Sequence, residues 1–428
     1  MTYSSIINKN SEYKNKTMKI IKNKSIIIFG STGDLVKRKI LPSLFYLFEN
    51  KIIENSKIFC IGRQNINIED YIKLIEPIFL ESINKNSKNI KEFYKNIFYI
   101  KADFDCEDCN NVRPVITLNE KKFNLNSRLF YLSLPANAFK KTVLTIHKEK
   151  LINKKSKVLI EKPFGEDLKS SVELDMFLKK YFEEKQIHII DHYLAKEVLI
   201  NILKFRKINY IKNIFDNKNI EKININIFEK VSVEGRCDFY NRTGAIKDFF
   251  QNHILQLISL LFLDINKKNI NKEKDLVLKN LEIKKIILKQ YKDYKEECGD
   301  DGEDIETGFD MILNIKNKNF NGVEVDLRYA KNMPDKVTEV VINLKDKSKI
   351  ILDILNNDIK INSEKKEFKN FDYKKLKEKV LIDDYKKIIY DSLIGNKKIF
   401  VDYSFIKESW KIIEEIKYNT KNSKLKLY

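Results

Sequence analysis

The sequence predicts an α/β domain built on a doubly wound, mostly parallel sheet, followed by an α+β domain with a large, mostly antiparallel sheet. Three observations predict it. Short apolar runs alternate with helical periodicity up to about residue 200, as in a sheet covered on both faces. The first of these runs ends in a turn with two glycines. Beyond about residue 205 apolar and polar residues alternate one by one, the period of strands with one wet face. The 428 residues accommodate two domains, and 43% apolar and 11% aromatic residues suffice for two cores. The expected division is a disordered lead-in over 1–22, a dinucleotide-binding domain over 23–200 and a substrate and subunit-association domain over 201–428.

The elements follow in order. Residues 1–24 are polar, rich in Lys and Asn, and lack the apolar core of a signal peptide. Residues 25–29 (SIIIF) are a short buried strand. It runs into Gly30-Ser31-Thr32-Gly33-Asp34-Leu35 and a helix carrying Lys37, Arg38 and Lys39. Strand, glycine turn and helix make a Rossmann-like dinucleotide-binding opening, in which bare backbone approaches a pyrophosphate at the helix N-terminus. An ordinary βα loop is the plainer reading of a G-x-x-G turn. The next strand, 58–61, ends in Gly62-Arg63-Gln64. This strand end reads the adenosine ribose: a carboxylate there would bind the 2′-hydroxyl of NAD, whereas an arginine accommodates the 2′-phosphate of NADP. Arg63 therefore points to NADP, a solvent-exposed arginine being the plainer reading.

A long helical region separates this strand from 128–135, a strand with a proline stop. Strand 157–160 leads to Glu161-Lys162-Pro163-Phe164-Gly165, and strand 187–190 to Asp191-His192-Tyr193-Leu194-Ala195-Lys196-Glu197. In the second domain strands are expected at 220–228, 310–315, 323–328, 337–344 and 349–355. A turn is expected at 233–236, a long buried helix from Gly244 to about Leu263, a loop at 296–306, and a helical closing segment over 383–410.

Composition excludes several classes. No run of about 18 apolar residues exists, so no membrane span is predicted. The net charge of +20 invites a nucleic-acid partner, but the basic residues are spread along the chain, mixed with 61 acidic ones and without aromatic interleaving. Five cysteines, an odd number, argue for a reducing, cytoplasmic compartment. Cys106 and Cys109 form a CxxC with no second pair at zinc spacing, so it is read as incidental. Four histidines are too few for a histidine-rich metal site, and no metal is predicted.

The richest stretch is 191–197. It sets a carboxylate, an imidazole, a phenol and an ammonium at a strand-to-helix junction, where an α/β protein places its ligand. Read as helix, His192 and Lys196 are four apart and share a face suited to an anion such as a phosphate. Asp191 would then orient a second histidine. The plainer reading makes Asp191 a helix cap and the other two a solvated face.

Taken together, GSTGDLVKRKILPSL (30–44), IGRQ (61–64), RLFYLSLP (128–135), EKPFGEDL (161–168), DHYLAKE (191–197), VEGRCDFYNRTGAIKDFFQNHILQL (233–257), LRYAKNMPDK (327–336) and the SW at 409–410 resemble the glucose-6-phosphate dehydrogenase family. They stand in the family's order. The resemblance implies oxidation of D-glucose 6-phosphate at C1 to 6-phospho-D-glucono-1,5-lactone with hydride transfer to NADP, the opening step of the oxidative pentose phosphate pathway. It implies His253 as the general base, with Asp191 orienting it and an adjacent carboxylate expected to raise the imidazole's pKa. It assigns His192, Tyr193 and Lys196 to the sugar phosphate and Lys331 and Lys336 to further basic contacts. Glu229 and Asp248 match acceptors for sugar hydroxyls, and Lys162 stands between cofactor and sugar. Gly30, Ser31, Thr32, Gly33, Asp34, Leu35 and Arg63 match the cofactor turn. A homodimer or homotetramer is implied, with neither nucleic acid nor membrane as partner.

Asp248 and His253 are five apart, about 140° around an ideal α-helix, so both can face one site only if it wraps that helix or the helix starts near Asp248. The chain departs from the family's pattern at Ile189, where Arg is usual, and at Ala195, Lys247, Phe215 and Phe320. Two alternatives are weighed: a basic nucleic-acid-binding protein on a retained enzyme fold, and another NAD(P)-dependent sugar dehydrogenase on the same scaffold.

Overall fold

The computed structural model describes residues 18–103, 111–233, 235–299, 305–366, 368, 371–376 and 384–428. Cys106, Cys109 and residues 1–17 of the expected lead-in lie outside them. The chain divides into two compact units, 1–160 with 180–188 and 378–396, and 161–179 with 189–377 and 397–428.

In the first unit, β1 (Ile21–Lys22) pairs with β3 (Ile53–Glu54), so the last residues of the expected lead-in are already strand. Strands β2 (Lys24–Phe29), β4 (Lys57–Gly62), β5 (Ile97–Lys101), β6 (Ser127–Leu132) and β7 (Lys157–Ile160) form a parallel array in the order β7-β6-β2-β4-β5. Ile27, Ile28 and Phe29 have no exposed surface, as strands covered on both faces require. β5 was read as part of a long helical region; IFYIK is too short and unbounded to announce itself.

β8 (Ile187–Ile190) carries the chain into the second unit, where its end pairs antiparallel with β16 (Phe400–Val401). An eight-stranded sheet is built from β9 (Ile220–Phe228), β10 (Leu281–Gln290), β11 (Gly308–Ile315), β12 (Glu324–Ala330), β13 (Val337–Leu344), β14 (Lys349–Asp353), β15 (Asp358–Asn362) and β17 (Lys426–Leu427). Their order is β15-β14-β13-β9-β12-β11-β10-β17. β9–β12 and β10–β17 are parallel and the remaining pairs antiparallel. In β13 burial alternates strictly, sealing Val340, Ile342 and Leu344. Each such side chain contributes about 1.5–3 kcal/mol. A one-residue slip would expose all three, a loss comparable with the roughly 5–15 kcal/mol by which a domain is stable. The register is therefore fixed.

Some expectations need correction. The closing segment 383–410 is not one helix: Asp384–Ile394 and Tyr403–Thr420 are helical, with β16 between them. Within the expected loop 296–306, Tyr294–Cys298 is a short helix. β10 was missed because a bulge between Ile283 and Lys285 breaks its period of two. Two of the five cysteines, Cys237 and Cys298, are joined as a disulfide, and Cys60 is a buried thiol, so the odd count does not mean that all are reduced. Among the described residues no helix is long and apolar enough to cross a membrane.

Candidate active site

Asp191 follows β8 and caps the 3-10 helix His192–Ala195, its side chain accepting from the Tyr193 amide at 3.0 Å. The expected shared helical face of His192 and Lys196 is not formed. The 3-10 turn stops at Ala195, and Lys196 is extended at ψ 137° as the cap of the next helix, Glu197–Arg206. Asp191 combines its two anticipated roles, because the same Oδ1 also meets His253 Nδ1 at 2.6 Å.

His253 comes from the helix that follows Gly244. At φ +60° and ψ −179° that glycine breaks the chain between two helical stretches, and a Cβ there would lie 2.3 Å from Glu306 Oε1. Ile246–Ile254 is then π-helical rather than α-helical. A π-turn closes from i to i+5, so Asp248 and His253 fall one turn apart on one side. The 140° separation of the ideal α-helix is much reduced by this local unwinding. Lys162 joins the two: its Nζ lies 3.0 Å from the Asp248 carbonyl, 3.2 Å from Asp248 Oδ1 and 3.1 Å from His253 Nε2. The Lys162–Pro163 peptide is cis. Tyr193 stacks on the His253 ring at 4.2 Å between centroids, with Phe249 and His192 edge-on. Lys196 Nζ stands 4.2 Å over the Tyr193 ring.

Electrostatics corrects one expectation. His253 is 1% exposed, and burial holds its pKa below the ordinary 6.5; Asp191 pulls it up and Lys162 pushes it further down. The adjacent carboxylate is outweighed by desolvation. Burial also pushes Asp191 up, but His253, His192 and Lys162 overcome it and hold the carboxyl at about 2. The pair therefore rests as carboxylate and neutral imidazole. With Nδ1 on Asp191, Nε2 is the basic nitrogen. Burial and then His253 lower His192 to about 3, so it offers a phosphate an N–H donor rather than a resident charge.

Glu229, just beyond β9, accepts at Oε2 from Lys331 Nζ at 2.7 Å and from the Tyr329 hydroxyl at 2.6 Å. Lys331 is 2% exposed, far from the surface cation it resembles in isolation. Lys336 is exposed before β13, and among the described residues no hydrogen bond or ion pair ties it to this cluster.

In the first unit the glycine turn closes with Gly33 N donating to the Gly30 carbonyl at 3.0 Å. Gly30 has φ +74°, and a Cβ there would lie 2.1 Å from the Ser133 carbonyl oxygen, so only glycine fits. Ser31 is buried, with an Oγ that has no partner among the described residues; Thr32 is half-buried. Asp34 pairs with Arg38 at 2.8 Å. Helix begins at Asp34 and Leu35 and runs through the π-turn Val36–Ile40 into Leu41–Glu49. Arg63 follows β4 and is exposed. A bare turn, an unused hydroxyl and an exposed strand-end arginine fit a dinucleotide with a 2′-phosphate.

Two contributors were missed. Tyr329 lies inside the quoted LRYAK stretch without a local signal for its hydroxyl contact. Glu306 lies in the acidic segment read as loop. Desolvation of this half-buried side chain pushes its carboxyl up to about 7, and its Oε1 accepts from the Ile246 amide at 3.0 Å, capping the helix that carries Asp248 and His253.

The chain is similar to known proteins along most of its length. The model for "Glucose-6-phosphate dehydrogenase, NAD binding domain" matches residues 27–201, and that for "Glucose-6-phosphate dehydrogenase, C-terminal domain" matches 202–368. The glucose-6-phosphate 1-dehydrogenase of Buchnera aphidicola subsp. Baizongia pistaciae is 30% identical over 457 residues, 92% of each chain. That of Helicobacter pylori (strain 26695) is 30% identical over 415 residues, 94% of this chain and 95% of its own. A solved glucose-6-phosphate dehydrogenase in complex with its substrate glucose-6-phosphate superposes with a TM-score of 0.84 at 25% identity, covering 96% of this chain and 95% of its own.

Proposed function

This chain belongs to the glucose-6-phosphate dehydrogenase family, and we propose that the Asp191–His253–Lys162 cluster is where it oxidises D-glucose 6-phosphate at C1 to the 6-phospho-lactone with NADP. The observation that carries the assignment is the buried 2.6 Å contact of His253 Nδ1 with Asp191 Oδ1, which leaves Nε2 as the base. Nε2 takes the proton of the C1 hydroxyl while the C1–H bond breaks and its electron pair leaves as hydride; the C1–O bond becomes the lactone carbonyl. The Asp191 carboxylate stabilises the imidazolium that forms. When bound, NADP supplies the hydride acceptor.

His192, Tyr193 and Lys196 hold the sugar phosphate, with Lys336 reaching in from its exposed position. Glu229, Asp248 and Lys331 orient the sugar ring, and Lys162 serves both sugar and cofactor. Gly30, Ser31, Thr32, Gly33, Asp34 and Leu35 bind the pyrophosphate, and Arg63 the 2′-phosphate. Functionally, 23–200 carries the cofactor fingerprint together with Lys162 and the 191–196 stretch of the sugar site, and 201–428 the remaining sugar contacts and the subunit contacts, in a cytoplasmic homodimer or homotetramer.

The test is NADPH formation with glucose 6-phosphate, glucose and galactose 6-phosphate. The reading expects turnover of glucose 6-phosphate far above both others. Equal turnover of glucose would refute the phosphate site.

A further inference from the structure

Lys331 holds its place through its backbone as well as its ammonium. Its amide donates to the Thr307 carbonyl at 3.1 Å, and its own carbonyl accepts from the Tyr428 hydroxyl at 2.9 Å. Thr307 is fully buried, and its Oγ1 accepts from the Tyr291 amide at 2.9 Å. That leaves the Thr307 hydroxyl proton for Tyr428 Oη, 3.2 Å away. The hydrogen bonds then run from Tyr291 N–H to Thr307, from Thr307 O–H to Tyr428, and from Tyr428 O–H to the Lys331 carbonyl, with the Thr307 carbonyl a longer second acceptor at 3.4 Å.

Tyr428 is itself fixed. β17 runs parallel to the end of β10, the Tyr428 amide donates to the Gln290 carbonyl at 3.1 Å, and the Tyr428 carbonyl accepts from the Lys292 amide at 3.1 Å. A Cβ on Gly308 would lie 3.2 Å from Tyr428 Oη, so the phenol occupies space beside a residue with no side chain.

We infer that Tyr428 is a positioning residue for sugar-phosphate recognition: its hydroxyl pins the Lys331 backbone so that the Lys331 ammonium stays paired with Glu229 at the sugar. The inference rests on the assignment of Lys331 and Glu229 to the substrate. Burial, opposed by the bonds to Thr307 and Lys331, pushes the phenol up to about 12, so it remains a donor over the working pH range.

The experiment uses the full chain with Tyr428→Phe, Tyr428→Ala, Lys331→Met and the double variant Tyr428→Phe/Lys331→Met. Steady-state rates are measured with glucose 6-phosphate and NADP varied in turn. Losing one hydrogen bond changes affinity by about two- to tenfold. Tyr428→Phe keeps the ring and should raise the KM for glucose 6-phosphate by that factor, leaving kcat within about twofold and the KM for NADP unchanged. Tyr428→Ala should raise the KM no further than Tyr428→Phe beyond about twofold, since the hydroxyl and not the ring is responsible. In the Lys331→Met background the Tyr428→Phe effect should vanish. If Lys331→Met raises the KM but Tyr428→Phe leaves it at the wild-type value, the inference falls and the substrate assignment stands. If Lys331→Met leaves the KM unchanged, the assignment of Lys331 falls and takes the inference with it.

Discussion

The glycine turn of the first unit and the histidine cluster of the second are built on opposite principles. The turn works through backbone: Gly30 at φ +74°, a Gly33-to-Gly30 hydrogen bond and a helix that starts at once, all within six residues. The cluster works through side chains that are distant in sequence, Asp191 and His253 being 62 residues apart and Lys162 and His253 91. A backbone-built site is local, tolerates changes among its side chains, and fails mainly when a Cβ intrudes. A side-chain-built site is global and fails when one group is lost. The difference teaches where substitutions should be felt in catalysis and where in binding.

The largest expected effect lies in the cluster. His253→Asn should lower turnover by on the order of 10²–10⁴, the usual contribution of a general base, while the buried helix keeps its packing. Turnover per folded molecule and melting temperature, measured together, check this. A stable variant with near-normal turnover would make His253 a core residue and dissolve the contrast.

Next comes Lys196, which stands 4.2 Å over the Tyr193 ring. A charge-assisted hydrogen bond contributes about 1.5–3 kcal/mol, roughly tenfold to over a hundredfold in affinity. Lys196→Ala should raise the KM for glucose 6-phosphate by that much and leave NADP binding alone. An unchanged KM would remove Lys196 from the phosphate site.

Arg63 is the one side chain by which the turn region is expected to discriminate. Arg63→Ala should weaken NADP by about tenfold and NAD hardly at all, the loss of one charge-assisted contact to the 2′-phosphate. Titrating both dinucleotides by fluorescence decides it, and equal losses would reject the role.

The smallest effect is a shift of the pH profile. Burial keeps His253 below 6.5, so the neutral base is present at neutral pH and kcat should fall only as pH drops below that value. Asp191 raises this pKa, so Asp191→Asn removes a raising charge and should move the acid limb to still lower pH, besides reducing kcat. A limb that moves up would mean that Asp191 does not raise this pKa, and one already above 6.5 in the unaltered protein would mean that the carboxylate and not burial dominates.

The substituted family positions in the second unit illustrate packing that adapts without touching chemistry. Phe215 and Phe320 meet edge-on at 5.9 Å, and Phe215 also lies under the buried Arg206 guanidinium at 4.8 Å. Ile189, where Arg is usual, is 5% exposed in β8 next to β16. Among the described residues the aromatic rings packed on His253 are those of His192, Tyr193 and Phe249, not Phe215 or Phe320.

By itself the sequence determined the strands that combine an apolar run or strict alternation with clear stops, which is why β7, β8, β9 and β13 are found at the residues read for them. It determined the glycine turn as well, because φ above zero and a close approach leave a mark in residue type at the very position that needs them. The quoted motifs named Asp191, Lys162 and His253, the first two of which the structure brings within hydrogen-bond distance of the third. What only the tertiary structure decided is how those groups meet. That Ile246–Ile254 unwinds into a π-helix depends on Gly244 and on Glu306, sixty residues on from Ile246, capping its amide. That His253 is lowered rather than raised depends on the depth of its burial. That Lys331 is sealed against Glu229 depends on β9 lying beside β12 and on Tyr428 beyond β17. Periodicity reports a residue's own backbone and the face it buries. It carries no record of a partner brought in by sheet order, and the free energy of a charge in a low-dielectric interior is set by such partners.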